Sequence, residues 1–291
     1  QNTKRAFEIV VVDNNSDSLK VREIAEAAGA VYVRETLTGL DFARNAALGA
    51  ASGDIIAFLD DDTKAEPDWF ENLSQVWAEN PDAGCVTGLI LPMSLENEAQ
   101  VAFEQDGGFR RPFVPERHSK TRWKRPLHPC GPGEFGAGAN MSLNRKYVQD
   151  LGGFDEALDT GRPLPGGGDL DIFYRVMRGG RLLVYDPSVV VRHDHRHDMN
   201  VLKHQYYTWG LGFFAYLQKS KRSDPENASA LRQMGLWFWL DMTRRLVRSL
   251  LGLETRSPRM IAAEIYGGIK GRFGEYQRSQ ARSAAIRKAA E

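Results

Sequence analysis

The chain has 291 residues, 42% of them hydrophobic, enough to bury the core of one large α/β domain, with or without a helical appendage. Lys plus Arg and Asp plus Glu number 38 each, and the resulting zero net charge argues against nucleic-acid binding by bulk charge, though local basic patches remain open. Cys85 and Cys130 form no CxxC pair, which points to a reducing compartment and to neither a disulfide framework nor a zinc site. No stretch reads as a signal peptide, and the apolar patches 209–217 and 234–240 are too short to span a bilayer as written.

Residues 7–13, Phe-Glu-Ile-Val-Val-Val-Asp, read as a core strand ending in an acid, and Asn14-Asn15-Ser16-Asp17 supply helix N-caps. A helical pattern then runs to Gly29, a C-cap, and residues 31–33 form a short strand. Gly39-Leu40-Asp41-Phe42-Ala43-Arg44-Asn45 opens a small-residue helix ending near Gly53. Asp54-Ile55-Ile56-Ala57-Phe58-Leu59-Asp60-Asp61-Asp62 follows, an apolar run closed by three carboxylates. It reads as a buried parallel strand delivering acids to the carboxyl edge of a sheet. The order strand, helix, strand, helix, strand is that of a doubly wound parallel sheet. Ligands in such sheets bind beyond the carboxyl ends of the strands, so Asp13 and residues 60–62 are expected to share one crevice. Crowded carboxylates would protonate one another unless a cation answers them, and a hard divalent metal carrying phosphate oxygens is the natural partner. Taken alone, the three acids would equally make a solvated turn capping the next helix.

Val10 through Ser16, Gly39 through Asn45, and Phe58-Leu59-Asp60-Asp61-Asp62 with Pro67-Asp68-Trp69 together resemble the nucleotide-binding half of family-2 glycosyltransferases, the inverting GT-A class. The resemblance implies a GT-A type α/β fold with a mostly parallel sheet and a hexosyltransferase-like activity. It also implies a UDP- or GDP-type sugar donor, an acceptor hydroxyl, and Mn2+ or Mg2+. By the same resemblance Asp13 contacts the base and Arg44 lies near the diphosphate. Asp60 and Asp62 become the outer members of a DxD motif, with Asp62 the first choice of metal ligand, Asp60 a second and nearer the ribose, and Asp61 between them also in the donor site. The family has a further strand and helix before this point, whose loop also cradles the nucleotide. The chain is expected to lack them, leaving the neighbouring strands uncovered. A nucleotide-binding relic of the fold is the alternative.

A helix over 69–80 and a strand over 84–90 come next. From 92 to 132 periodicity weakens, and Phe103, Phe109, Phe113 and Trp123 lie among Arg110, Arg111, Arg117, Lys120, Arg122, Lys124 and Arg125. Such a segment suits RNA or an anionic lipid surface; a solvated acceptor loop is preferred, because the family's variable acceptor segment falls here. In Phe135-Gly136-Ala137-Gly138-Ala139-Asn140 no strand precedes the glycines and the third glycine of a dinucleotide fingerprint is absent. They are read instead as admitting backbone close to a sugar-diphosphate, with Gly138 and Asn140 in the donor site.

Gly166-Gly167-Gly168-Asp169-Leu170-Asp171 brings two acids to a helix start, where taken alone they would be caps. The family pattern is Glu-Asp-x-Asp, so the resemblance makes Asp169 the catalytic base, places Gly168 where the Glu stands, and leaves Asp171 and Arg175 as acceptor or supporting groups. Residues 182–185 and 189–191 read as two short strands around a turn. They lead into His193, His195 and His197, whose alternation invites a zinc-hydrolase reading. The family carries a His-x-His here, which makes His193 a metal or diphosphate contact and His195 a second candidate, with His197 at the surface. The last third is helical, over 199–219, with Gly210 and Gly212 as interruptions, over 232–253, and again after Pro258. Its aromatics beside arginines suit a helix in a membrane interface, and equally helices packed on the catalytic domain. The expected division is a catalytic domain over 1–198, with its donor half over about 1–91 and its acceptor half over 92–198, and a helical extension over 199–291. The expected location is cytoplasmic, on the inner membrane face if the C-terminal helices dock there.

Overall fold

A computed structural model describes residues 1–120, 127–161 and 163–290. Arg122, Trp123, Lys124 and Arg125 of the basic segment lie outside the described residues. Strand β1 (Val10–Asn14) runs through helix α1 (Lys20–Ala27) to strand β2 (Val31–Glu35), and the strands pair in parallel with Val10 opposite Val31. The first strand starts later than its apolar run suggests. Phe7 and Ile9 are about half exposed, and the Phe7 ring packs 4.7 Å from that of Phe70.

Helix α2 (Leu40–Ala50) leads into β3 (Ile55–Leu59), which pairs with β7 (Asn140–Asn144). The main sheet has the order β3, β7, β5 (Ala83–Pro92), β10 (Leu182–His193), β4 (Thr63–Ala65), with β6 (Glu116–His118) also on β10. Within it β5 and β10 are parallel, whereas β3–β7, β5–β7, β4–β10 and β6–β10 are antiparallel. The strand over 55–59 therefore differs from the buried parallel strand expected of it: its one strand partner among the described residues is antiparallel, and Leu59 is 42% exposed. Among the described residues β1 pairs with β2 alone, and the two form a sheet of their own.

The interior follows from burial on both faces of the sheet. The first eight residues of β5 are all buried, the signature of a central strand with helices above and below. On one side Ala47 and Leu48 of α2 pack with Ile56, Met141, Leu143, Ile172 and Phe173. On the other, helix α3 (Trp69–Glu79) sets Trp69, Leu73 and Val76 against Val86, Val184 and Val191. The two short strands expected over 182–191 are one strand, because a register shift between Asp186 and Val190 absorbs Pro187, which has no N–H to give the ladder.

Helix α4 (Glu98–Gln105) lies within the segment of weak periodicity, and α5 (Arg145–Asp150) follows β7. The hairpin β8 (Asp159–Gly161) and β9 (Leu164–Pro165) precedes helix α6 (Gly168–Arg178), which opens after Gly166 and Gly167, both at positive φ. Helix α7 (Met199–Ser223), capped by the Asp198 carboxylate on two backbone N–H groups, passes through Gly210 and Gly212 without interruption. Those glycines allow close approach instead. A Cβ at Gly210 would fall 2.1 Å from the Glu264 carbonyl on helix α9 (Pro258–Lys270), and one at Gly212 would fall 2.9 Å from that of Gly166. Helix α8 (Ala228–Leu250) packs Met234 and Phe238 on Phe214 and Leu217, in a cluster that also takes in Tyr174 of α6. Helix α10 (Tyr276–Ala290) ends the described chain. No helix among the described residues is long and apolar enough to cross a membrane.

Candidate active site

The antiparallel pairing of β4 with β10 sets Thr63 opposite His193, and the Asp194 N–H donates to the Asp62 carbonyl at 2.8 Å. That register brings the Asp62 carboxylate to the His193 ring. Asp62 Oδ2 lies 3.5 Å from Arg196 Nη1, while Oδ1 is buried without a hydrogen-bond partner, 3.4 Å from His193 Nε2. Burial raises the Asp62 carboxyl above its ordinary range, with Arg196 opposing. Asp60 is raised in the same way, first by burial, with Arg44 opposing and its acidic neighbours adding. Asp61 is exposed. Burial also pushes His193 down to about 4, helped by His195 and Arg196, so at neutral pH its ring is uncharged and has a free lone pair.

A buried carboxylate oxygen without a hydrogen-bond partner is costly unless something positive comes to it. No group of three or more His, Cys, Asp or Glu side chains closes round one point among the described residues. Two protein donors, with Asp60 beside them, nevertheless suit a hard cation that takes its remaining ligands from phosphate and water oxygens. The residues present fit Mn2+ or Mg2+ in that role.

The second half of the site is organised by Arg44, which is buried on α2. Its Nη1 is 3.0 Å from Asp41 Oδ1 and 3.8 Å from Asp159 Oδ2, and its Nη2 is 3.9 Å from Asp60 Oδ1. Burial raises Asp41 to about 7, against the pull of Arg44, and raises Asp159 well above its ordinary range with help from the Asp41 charge. Asp169 sits close by. Its Oδ2 accepts from the Gly138 N–H at 3.0 Å and its Oδ1 from the Leu170 N–H at 2.8 Å. A Cβ at Gly138 would lie 2.7 Å from Arg44 Nη2 and 3.3 Å from Asp169 Cβ, so only glycine lets the guanidinium and the carboxylate flank one backbone segment. Gly168 has an equally definite reason. A Cβ there would fall 2.0 Å from Asp41 Oδ2, a fully buried oxygen with no hydrogen-bond partner.

The structure thus gathers Asp60, Asp62, His193, Arg44, Gly138 and Asp169, while the other expected residues, apart from the exposed Asp61, have protein partners of their own. The Asn140 side chain is a strut of the sheet, a correction to its donor-site reading: it accepts from Trp69 Nε1 at 3.0 Å and donates to the Leu89 and Val189 carbonyls at 3.1 and 2.9 Å. Asp171 is fully buried between Arg175 Nε at 2.6 Å and Lys219 Nζ at 2.5 Å, and Arg175 also donates to the Leu151 and Gly153 carbonyls. Both residues anchor α6. Asp13 accepts from the Ser16 N–H and hydroxyl and from the Tyr32 hydroxyl, with Arg34 3.5 Å away, and the Ser16 amide leads in holding it below the usual carboxylate range. His197 is exposed and pairs with Asp194 at 2.8 Å, whereas the His195 ring is buried against His193, so the three histidines do not gather as a zinc hydrolase requires. Sequence reading missed Asp41 and Asp159 as partners of Arg44, and Glu104 as the partner of His195 at 2.8 Å. The one local signal was the spacing of Asp41 and Arg44, three apart on a helix.

Residues 1–150, just over half of the chain, match the model of glycosyl transferase family 2. Over 169 residues the chain is 28% identical to the glucosyl-dolichyl phosphate glucuronosyltransferase of Haloferax volcanii, covering 53% of this chain and 47% of that one. Over 154 residues it is 29% identical to the pre-mycofactocin glycosyltransferase of Mycobacterium tuberculosis, covering 53% of this chain and 30% of that one. The chain therefore spans about half the length of the first relative and less than a third of the second. The structure of the mannosyltransferase PcManGT from Pyrobaculum calidifontis, in complex with GDP-Man and Mn2+, is similar with a TM-score of 0.53 at 18% identity, covering 97% of this chain and 76% of that one, a likeness of fold. By its family match and its architecture, the chain belongs to glycosyltransferase family 2 and has a GT-A type α/β fold.

Proposed function

We propose that the chain transfers a sugar from a UDP- or GDP-type nucleotide-diphospho-sugar to an acceptor hydroxyl, inverting the anomeric carbon. The observation that carries this reading is the meeting of two unlike half-sites. Asp62 Oδ1, buried without a hydrogen-bond partner, lies 3.4 Å from His193 Nε2, and Asp60 joins them to Arg44, which borders Gly138 and Asp169. The names of the relatives support sugar transfer, and the GDP-Man and Mn2+ of the Pyrobaculum calidifontis protein support the donor and metal classes.

In this reading Asp169 takes the proton of the acceptor hydroxyl while that oxygen bonds to the anomeric carbon and the bond from that carbon to the diphosphate breaks. Two backbone N–H groups hold the Asp169 carboxylate in place for this task. Arg44, kept charged by the acids around it, faces the departing diphosphate. Mn2+ or Mg2+, held by Asp62 and His193 with Asp60, supplies further positive charge for the leaving group when bound. Asp169→Asn preserves shape and removes the base. We expect release of nucleoside diphosphate from a sugar donor to fall about 10²- to 10⁴-fold with nucleotide binding retained; undiminished turnover would remove Asp169 from this role.

Peripheral membrane contact belongs to the same proposal. Helix α8 turns Leu236, Trp237, Leu240, Val247 and Leu250 outward, each at least half exposed, and Arg232, Arg244 and Arg248 lie on the same exposed side. An apolar stripe edged by arginines fits the headgroup region of an anionic bilayer. A lipid-linked acceptor, as in the name of the Haloferax volcanii relative, would suit that surface.

A further inference from the structure

We propose that Glu104 and His195 are positioning residues that fix the tautomer of His193 and thereby aim its Nε2 lone pair at Asp62. The inference rests on the reading above that Asp62 and His193 hold a divalent cation. The relay begins at the end of α4, 91 residues before His195 in sequence, where Glu104 Oε1 lies 2.8 Å from His195 Nε2. A carboxylate accepts only, so His195 Nε2 carries the hydrogen. In a neutral ring Nδ1 is then the acceptor. It lies 3.0 Å from His193 Nδ1, which must therefore be the donor. That leaves His193 Nε2 bare, 3.4 Å from Asp62 Oδ1, an oxygen that itself finds no donor. One carboxylate thus sets the polarity of two rings in series and ends in a pair of facing acceptors. An outer-shell carboxylate acting through imidazole in this way fixes ring orientation and strengthens a ligand nitrogen.

The surroundings hold this chain in one geometry. The Phe103 ring meets His195 edge-on at 4.7 Å, and the Phe109 ring stands 5.2 Å from His193. The His195 side chain is 1% exposed, so water cannot take over its bonds. Gly108, at φ +47°, leaves the room that Glu104 needs, since a Cβ there would lie 2.5 Å from Oε1.

The test reads the hydrogens directly, by nitrogen-15 NMR of histidine-labelled, metal-free, full-length protein near neutral pH. We expect His193 as the Nδ1–H tautomer and His195 as the Nε2–H tautomer. Glu104→Leu, which removes the acceptor, should populate the reverse tautomers and weaken Mn2+ binding in calorimetry by about 10- to 100-fold. Glu104→Gln, which keeps an oxygen in place, should restore most of both. A parent protein with His193 as Nε2–H, or with His195 charged and donating from both nitrogens, would overturn the proposal, as would unchanged tautomers in Glu104→Leu. Should Glu104→Leu not fold, the parent spectrum and Glu104→Gln still decide. Absence of Mn2+ binding by the parent would defeat the cation reading, while the tautomers would still decide the relay.

Discussion

Gly138 and Gly168 owe their identities to what stands beside them, Arg44 with Asp169 in one case and Asp41 in the other. The first was legible as a place where backbone comes close to something bulky, although the bulky group proves to be the protein's own guanidinium. The second was legible only as a missing Glu, because nothing local reveals that a carboxylate from α2 fills the space over residue 168. Asp41 makes a sharp prediction about pH. Its carboxyl is held at about 7 in the fold against 3.8 for an ordinary Asp, so between those values the folded chain binds more protons than the unfolded one. Its contribution to stability is therefore present at low pH and lost as pH rises through about 7. Asp41→Asn keeps the volume and an oxygen for Arg44 but removes this titration. Denaturant melts at pH 5 and pH 8 should show the variant gaining on the parent toward high pH, with a slope of no more than about 1.4 kcal/mol per pH unit. A difference that does not vary with pH would contradict the assignment.

Among the elements, those with clear punctuation were legible: α2, α3, β5 and the start of α6 lie where caps, glycines and apolar runs put them. The disagreements have specific physical causes. Gly210 and Gly212 look like helix breakers from propensity alone, but α7 is held by packing against α9, which needs those positions bare. Pairing is not local either, and so the antiparallel partner of β3, more than 80 residues later in the chain, left no mark on residues 55–59. Asp171 joins α6 to α7 through Lys219 and braces the turn after α5 through Arg175. Removing the shared acid leaves two cations facing each other in a buried space. Asp171→Ala should therefore cost roughly 3 to 5 kcal/mol of unfolding free energy in urea titration. A loss below about 1 kcal/mol, the worth of an exposed pair, would show that the triad does not anchor the helix.

At the scale of the molecule, a chain of zero net charge places its arginines unevenly, with Arg232, Arg244 and Arg248 beside the exposed apolar stripe of α8. Vesicles of phosphatidylglycerol should carry the protein down on sedimentation, and vesicles of phosphatidylcholine should carry much less. Leu236→Gln with Leu240→Gln should reduce the bound fraction severalfold. Equal partitioning onto both lipids, or a stable dimer in analytical ultracentrifugation that the same substitutions abolish, would instead assign the stripe to another use. The acids, the arginine and the histidine that the candidate site brings together could be named from the sequence; the partners Asp159 and Glu104 could not, because they come from distant parts of the chain. In the proposed function Asp62 and His193 hold a divalent cation that carries a nucleoside diphosphate beside Arg44. Calorimetric titration of UDP and of GDP into the full chain, with Mn2+ and then with chelator, tests it most directly. One of the two should bind with Mn2+ and bind little with chelator, and Asp62→Asn should lose at least about tenfold in affinity. Binding of equal strength in chelator and in Asp62→Asn, or no binding of either nucleotide, would contradict it.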